Sequence, residues 1–445
     1  MTGPIDLALL PRTARVGPDG RASVGGCDLG ELADRFGTPL FVYDEEELRA
    51  RCREYLEWFG EGGVAFAGKA FLCLAMARLV DEEGLLLDVA TGGELHVALG
   101  AGFPPDRLIL HGNNKSTEEL RVALGAGVGR VVADSFDELD RIEGLVGEGL
   151  PVPDVLVRVT PGVQAHTHEF VETGVEDSKF GFTVSGGVAL EAARRVVESP
   201  STRFAGLHCH IGSQVFAIES FAHAAAVVAG LAAGVREATG APVAELNLGG
   251  GLGIAYRAGD RPATIAEYAR RVREAMAEAC DEAGLPERPR LIVEPGRSIA
   301  GPAGLTLYRV GTVKEVPGIR TYVAVDGGMS DNPRPATYGA RYEAFVVTRA
   351  HASRPRVATI AGKHCEQGDV LVRDAALPVD LAIGDVVATP ATGAYGYAMA
   401  SNYNKVPRPA VVFVRDGVAR VVVRRETLDD LLRLDRLDEP GEREA

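Results

Sequence analysis

Val64-Ala65-Phe66-Ala67-Gly68-Lys69-Ala70 is an apolar run that ends in a single lysine set between small residues. An unbroken apolar run of this length suits a strand buried on both faces, the kind found in parallel sheets. A lysine inside such a strand is disfavoured. Just past the strand's C-terminal end it can reach a shared pocket, where desolvation is expected to lower its pKa and make the amine nucleophilic. A lysine at a strand end is also an ordinary surface residue, so the rest of the chain has to decide between the two.

Seven further strand-like runs follow, at Leu85–Ala90, Arg107–Gly112, Arg130–Ser135, Asp154–Val159, Phe204–Gly212, Glu245–Gly251 and Leu291–Gly296. Between them lie helix-length segments; one carries Phe221, Ala224, Val228, Leu231 and Val235 at helical spacing. Ser116 ahead of Thr117-Glu118-Glu119-Leu120 has the form of a capped helix start. Eight alternating units predict a (β/α)8 TIM-like barrel over 44–300, with its active site at the C-terminal ends of the strands. A doubly wound sheet fits less well, because the first strand lacks a Gly-rich dinucleotide turn.

After Pro302 the long helices stop. Strands are expected at Leu305–Val316, Thr321–Val325, Val357–Ala361, Asp385–Thr389 and Ala410–Arg425, the last folded at Asp416-Gly417 into a hairpin. The segment 301–445 therefore reads as an all-β C-terminal domain carrying Cys365, Glu366 and Tyr395. Short strands in 1–43, around Ala22–Val24 and Pro39–Val42, are expected to complete it, and Asp435–Ala445 reads as a frayed tail.

The 445 residues carry a formal charge of −15 with no Lys/Arg-rich block, which argues against nucleic acid or an anionic membrane as partner and for a small molecule. The N-terminus has no signal-peptide pattern and no window holds eighteen uninterrupted apolar residues, so a soluble cytoplasmic protein is expected. Cys27, Cys52, Cys73, Cys209, Cys280 and Cys365 show neither metal-ligand spacing nor a disulfide framework. Cys365 stands apart from the others, between His364 and Glu366 in a Gly-rich charged segment where a thiol can react.

Polar residues collect at the expected strand ends. Lys69 follows the first strand, Asp88 lies in the second with Glu94 beyond it, His111 ends the third, Arg158 is in the fifth, and His208 and His210 are in the sixth. The seventh ends in Gly249-Gly250-Gly251 and the eighth delivers Glu294-Pro295-Gly296-Arg297. A glycine turn lets backbone N–H groups approach a phosphate, with Ser213 and Arg297 as further donors. Pyridoxal 5′-phosphate would use the whole set: Lys69 for a Schiff base, the His210 ring for stacking, and Glu294 to keep the pyridine nitrogen protonated. A rival reading is a metal-dependent barrel hydrolase using His166-Thr-His168 and His208-Cys-His210, but no further His or Cys cluster supports it, and no metal is expected.

These residues are joined by HGNNKS (111–116), AHTHEF (165–170), DSKFGF (177–182), HCHIGSQ (208–214), LGGGLGIAY (248–256), VDGGMSDNPRPATYG (325–339), GKHCEQGD (362–369) and PATGAYGYAMASNYN (390–404). Together, in this order, they resemble the pyridoxal-phosphate barrel decarboxylases of the alanine-racemase-like fold, and among them the diaminopimelate decarboxylases. The resemblance implies conversion of meso-2,6-diaminopimelate to L-lysine, the last step of lysine biosynthesis. It implies that Lys69, Asp88, His210, Ser213, Gly250, Gly251, Glu294, Pro295, Gly296, Arg297 and Tyr395 surround the cofactor. Arg158, Arg297, Arg334, Tyr338, Glu366 and Tyr395 would hold the substrate, and Cys365 would protonate the carbanion left by carbon dioxide loss. It also implies a homodimer in which Cys365 and Glu366 enter the other subunit's site.

Gly68 and Phe71 flank the lysine where a common form of the motif has Val and Asn, and Gln367 replaces Ser, so pocket shape is where this chain departs. The alternatives are a related decarboxylase of another basic or carrier-bound amino acid, or a non-catalytic carrier of pyridoxal phosphate. Arg334, Tyr338 and Arg297 suit a distal carboxylate better than a plain diamine end.

Overall fold

Eight short parallel strands follow one another around a barrel: β1 (Ala65–Ala67), β2 (Leu86–Val89), β3 (Leu108–Leu110), β4 (Arg130–Ala133), β5 (Asp154–Thr160), β6 (Arg203–Cys209), β7 (Glu245–Asn247) and β8 (Arg290–Ile292). The circle closes where Val64 bridges Val293, with Ala65 N donating to Val293 O (2.9 Å) and Ala67 N to Pro295 O (3.1 Å). The structure is a computed structural model that describes residues 3–162 and 177–437. The AHTHEF segment with His166 and His168 lies outside the described residues.

The chain divides into two compact units. One is the barrel, Glu46–Ala303 with Gly393–Ala398; the other comprises Met1–Glu45, Gly304–Thr392 and Met399–Ala445. Tyr395 thus belongs to the barrel unit rather than to the β-unit expected to carry it, because Tyr395 N donates to Ala70 O (2.8 Å) and Gly393 N to Gly301 O (3.2 Å).

The barrel interior is layered by the two-residue period of its strands. Ala65, Ile109, Val132, Leu156 and Ala205 pack together with Leu86. Two residues further along the same strands, alternation brings Asp88, His111, Asp134 and Arg158 to the same face. A bulge between Phe204 and Gly206 resets the phase of β6, so that His208 pairs with Arg158 on one side and Asn247 on the other. The result is an apolar plug beneath a polar rim.

Outside the barrel, Ser116 caps Thr117–Ala126 in a reciprocal capping box with Glu119. The helix Glu219–Thr239 is, by length and composition alone, apolar enough to cross a membrane. Its buried face here includes Phe221, Ala224, Val228, Ala232 and Val235, whereas Leu231 of the expected stripe is only half-buried.

In the other unit, strands Val370–Leu377, Arg356–Ala361, Arg320–Val325, Gly304–Val316, Leu40–Asp44, Ala410–Arg415 and Val418–Val423 lie side by side in that order. Leu40–Asp44 joins this sheet as expected. Ala22–Val24 belongs to the same unit, as expected, but Gly25 and Gly26, both at positive φ, turn it back onto Cys27–Asp28 in a separate three-stranded sheet. The strand Val370–Leu377 was not anticipated from the sequence. The Asp416-Gly417 turn has positive φ at both residues and closes its hairpin as read.

Candidate active site

Lys69 sits in a 3-10 turn, Gly68–Ala70, immediately after β1. Its side chain is solvent-accessible, yet enough protein surrounds it that loss of hydration pulls its pKa down. Tyr395, Asp88 and Glu294 outweigh that pull and the net direction is upward. The expectation that desolvation alone would make this amine nucleophilic is therefore corrected. The acidic surroundings hold Lys69 as an ammonium, which must lose a proton before it bonds to an aldehyde.

Glu294, only 5 % exposed, is the most tightly held group on the rim. Asn247 Nδ2 donates to its Oε1 (2.7 Å), His208 Nε2 lies 3.1 Å from Oε2, and His111 Nε2 lies 2.9 Å from Oε1. Burial opposes ionisation, but the imidazoles of His111 and His208 overcome it and carry Glu294 well below the usual carboxylate range. Asp88 beside it goes the other way: burial, with repulsion from Glu294 added, pushes it up to about 6 against the attraction of His111 and Lys69. His208 is drawn down to about 4, chiefly by burial, while His111 is raised because Asp88 and Glu294 outweigh its desolvation.

The glycine turn after β7 is packed against these groups. Gly249 N donates to Asn247 Oδ1 (2.8 Å), and Glu294 N donates to Gly249 O (2.8 Å). A Cβ on Gly250 would stand 2.1 Å from Glu294 O, so only glycine fits there. Gly250 N donates to His210 Nδ1 (3.2 Å), which assigns the proton of the neutral ring to Nε2. Burial, together with the charges of Lys69 and Arg158, keeps His210 well below its ordinary pKa. Gly250's N–H is thus engaged by the imidazole.

Arg297 opens the helix Arg297–Ala303 that follows Glu294-Pro295-Gly296. Its Nη1 donates to the Tyr256 hydroxyl (2.6 Å), its Nη2 to Ser213 Oγ (2.8 Å), and its guanidinium lies over the Tyr395 ring at 4.7 Å. Arg158 packs over Phe180 (4.3 Å) with Asp134 3.7 Å away, which places it in the barrel wall. Glu94 accepts from Ala90 N and serves its own helix start.

The barrel unit therefore brings together Lys69, Asp88, His210, Ser213, the glycine turn, Glu294 to Arg297 and Tyr395. Arg334, Tyr338, Cys365 and Glu366 belong to the other unit. There Arg334 is buried against the Tyr342 hydroxyl, while Cys365 and Glu366 are exposed, with Cys365 N donating to Asn404 Oδ1 (3.1 Å). Asn247 and Tyr256 were missed as site residues. An Asn between two leucines near the end of a buried strand was the available signal.

The ligand atoms of His111, His208 and Glu294 all lie within 4.8 Å of one another. The His208 hydrogen bond to Glu294 Oε2 and the approach of His111 Nε2 to Oε1 account for that grouping, and His210 of the rival metal pair accepts from Gly250 N instead. The donor set fits pyridoxal 5′-phosphate: an amine for an aldehyde, a caged anionic carboxylate for a pyridinium N–H, and a close-packed glycine turn beside a serine and an arginine for phosphate.

The family profile described as "Pyridoxal-dependent decarboxylase, pyridoxal binding domain" matches residues 45–301. Diaminopimelate decarboxylase of Mycobacterium bovis is 52% identical over 437 residues, 96% of this chain and 97% of that protein. The chain belongs to the diaminopimelate decarboxylase family. The family's enzyme from Bacillus subtilis is 48% identical over 95% of this chain and 97% of its own. The crystal structure of a family member from M. jannaschii, in complex with L-lysine, superposes with a TM-score of 0.89 at 35% identity, covering 96% of this chain and 98% of that one. The cofactor of this family is pyridoxal 5′-phosphate, and the barrel matched by the profile is where the caged Glu294 and Lys69 lie.

Proposed function

We propose that this chain decarboxylates meso-2,6-diaminopimelate to L-lysine, with the barrel mouth as its cofactor site. The observation that carries the reading is a strand-end lysine beside a carboxylate held ionised by His111, His208 and Asn247. Bound through its aldehyde to an amine, pyridoxal 5′-phosphate supplies an electron sink for the bond that breaks. Lys69 Nζ is the amine that would hold the cofactor in the resting enzyme. Glu294 would hold the proton of the ring nitrogen, and His210 would supply a flat face for the ring to stack on.

Ser213, Gly250, Gly251 and the turn Pro295-Gly296-Arg297 would surround the phosphate, with Asp88 and Tyr395 also at the cofactor. The carbon–carbon bond to the carboxylate breaks, its electron pair stays with the α-carbon, and Cys365 Sγ gives that carbon a proton. Arg297, Arg334, Tyr338, Glu366 and Tyr395 hold the far amino-acid end, and Arg158 adds positive charge from the wall.

Carbon dioxide release measured separately with meso-diaminopimelate, ornithine, arginine and lysine tests the substrate. Release from ornithine and not from diaminopimelate overturns it. The enzyme works as a cytoplasmic homodimer in which Cys365 and Glu366 serve the partner's barrel; the free thiols of all six cysteines suit a reducing compartment. Mixing Lys69→Ala with Cys365→Ala subunits then recovers roughly a quarter of wild-type turnover, since half the dimers are hybrid and each has one intact site. No recovery after subunit exchange rules out sharing.

A further inference from the structure

Asn247 is wholly buried at the end of β7, and its amide has a partner on each side. Its Oδ1 accepts from Gly249 N (2.8 Å) and its Nδ2 donates to Glu294 Oε1 (2.7 Å). The orientation of the amide follows from chemistry: a backbone N–H must meet the oxygen, and an ionised carboxylate must meet the N–H. Glu294 N in turn donates to Gly249 O (2.8 Å). Gly249, Asn247 and Glu294 therefore form a closed ring of hydrogen bonds across the ends of β7 and β8. Gly250 N, one residue along, ties His210 Nδ1 to the same turn (3.2 Å).

We propose that Asn247 is a positioning residue that sets the spacing between the glycine turn receiving the cofactor's phosphate and the Glu294 carboxylate facing its ring nitrogen. This rests on the cofactor-site reading given above. A pyridine ring and its phosphate arm have a fixed length, so two anchor points on separate strand ends serve only if their separation is fixed too. The main-chain bond between Glu294 and Gly249 joins the two strands, but leaves the carboxylate free to rotate about its side-chain torsions. His208 on Oε2 and His111 beside Oε1 limit that freedom, and the Asn247 amide adds what they do not, a reference from Oε1 to the turn itself. Asn247 touches neither substrate nor cofactor in this role and acts through Glu294 and Gly249.

Two substitutions separate the ends. Asn247→Leu removes both bonds, whereas Asn247→Asp keeps the acceptor for Gly249 N and replaces the donor facing Glu294 with an oxygen. Holoenzymes are compared by visible circular dichroism of the bound cofactor, by the rate of cofactor loss on dialysis, and by kcat and KM separately, with thermal melting as the fold control. The expected result is about a tenfold faster cofactor loss in Asn247→Leu and a smaller change in Asn247→Asp. Both variants are expected to show altered visible dichroism and a kcat reduced about tenfold or more at nearly unchanged KM.

Dichroism, cofactor retention and kcat all within twofold of wild type in Asn247→Asp overturn the proposal, and so does a loss confined to KM. If Asn247→Leu does not fold, Asn247→Asp, which has the same size and keeps the turn bond, decides alone. Lys69→Ala is run alongside: retention of borohydride-trapped cofactor by that variant refutes the cofactor-site reading itself, and its loss with an unaffected Asn247→Asp refutes only the role of Asn247.

Discussion

Glu294 in the barrel and Glu366 in the other unit are both carboxylates assigned to one reaction, and they are held in opposite ways. Glu294 is buried with Asn247, His208 and His111 around it. Glu366 is exposed, with Gly368 N at 3.3 Å and the Tyr403 hydroxyl at 3.5 Å. The residues beside them differ likewise: Lys69 sits among Asp88, Glu294 and Tyr395, while Cys365 is an exposed thiol with a backbone bond to Asn404. A group that must stabilise charge at every turnover gains from fixed dipoles that need no rearrangement. A group that delivers a proton has to meet the substrate, and an exposed loop position leaves it accessible. In the proposed mechanism the barrel carries the electrostatics, and the loop carries the residues that act on arriving substrate.

The sharpest way to break this contrast is Lys69→Ala, which is expected to abolish turnover and the visible absorbance of covalently held cofactor. Retained absorbance would remove Lys69 from the barrel's role. Cys365→Ala tests the loop side; the cofactor spectrum should persist while kcat falls by about 10²–10⁴, the usual worth of a positioned proton donor. An active variant would show that the loop supplies no proton.

Next in size is a test of a buried ion pair beside the rim residue Asp134, whose N–H donates to Glu138 Oε2 (3.2 Å). Lys115 Nζ lies 2.8 Å from Glu138 Oε1 and donates to Gly112 O (2.6 Å) and Val132 O (2.9 Å), with both side chains buried. Lys115→Met leaves Glu138 uncompensated and should cost about 3–5 kcal/mol in urea denaturation. A cost under about 1 kcal/mol would mean that the interior tolerates unpaired charge.

The smallest effect concerns pH. His208 is 1 % exposed and its folded pKa, about 4, lies below the ordinary 6.5. Between those values the unfolded chain binds a proton that the folded one does not, so this contribution is present above pH 6.5 and is lost as pH falls towards 4. Asp88, raised to about 6, works in the opposite sense, gaining stability as pH falls through that value. Comparing wild type with His208→Gln cancels the common Asp88 term. Wild type should lose up to about 3 kcal/mol relative to the variant between pH 6.5 and 4. Parallel stability curves would show that His208 is not held neutral.

The strand count, the barrel and the rim positions of Lys69, His210 and Glu294 were legible because a parallel strand buried on both faces leaves an unmistakable apolar run, with polar residues only at its end. The β-unit was read less well. The two-residue Gly25-Gly26 turn consumed Ala22–Val24 locally, and Val370–Leu377, with Arg373 and Asp374 in its middle, does not look like a strand until its partner Arg356–Ala361 is beside it. Tyr395 was placed by backbone bonds from Tyr395 N to Ala70 O and from Gly393 N to Gly301 O, long-range matches that no local pattern carries.

By itself, the sequence determined that Lys69, Asp88, His111, His210 and Glu294 come to the barrel mouth, since side-chain alternation and strand ends are local properties of the chain; Asn247, Tyr256 and Tyr395 joined them only through tertiary contacts. Only the tertiary structure decided their chemical states. The bulge in β6 turned His208 towards Glu294, β7 brought Asn247 to the same carboxylate, and neighbouring acids reversed the shift expected for Lys69. Protonation depends on charges and dipoles a few ångströms away, and those come from strands far apart in the chain.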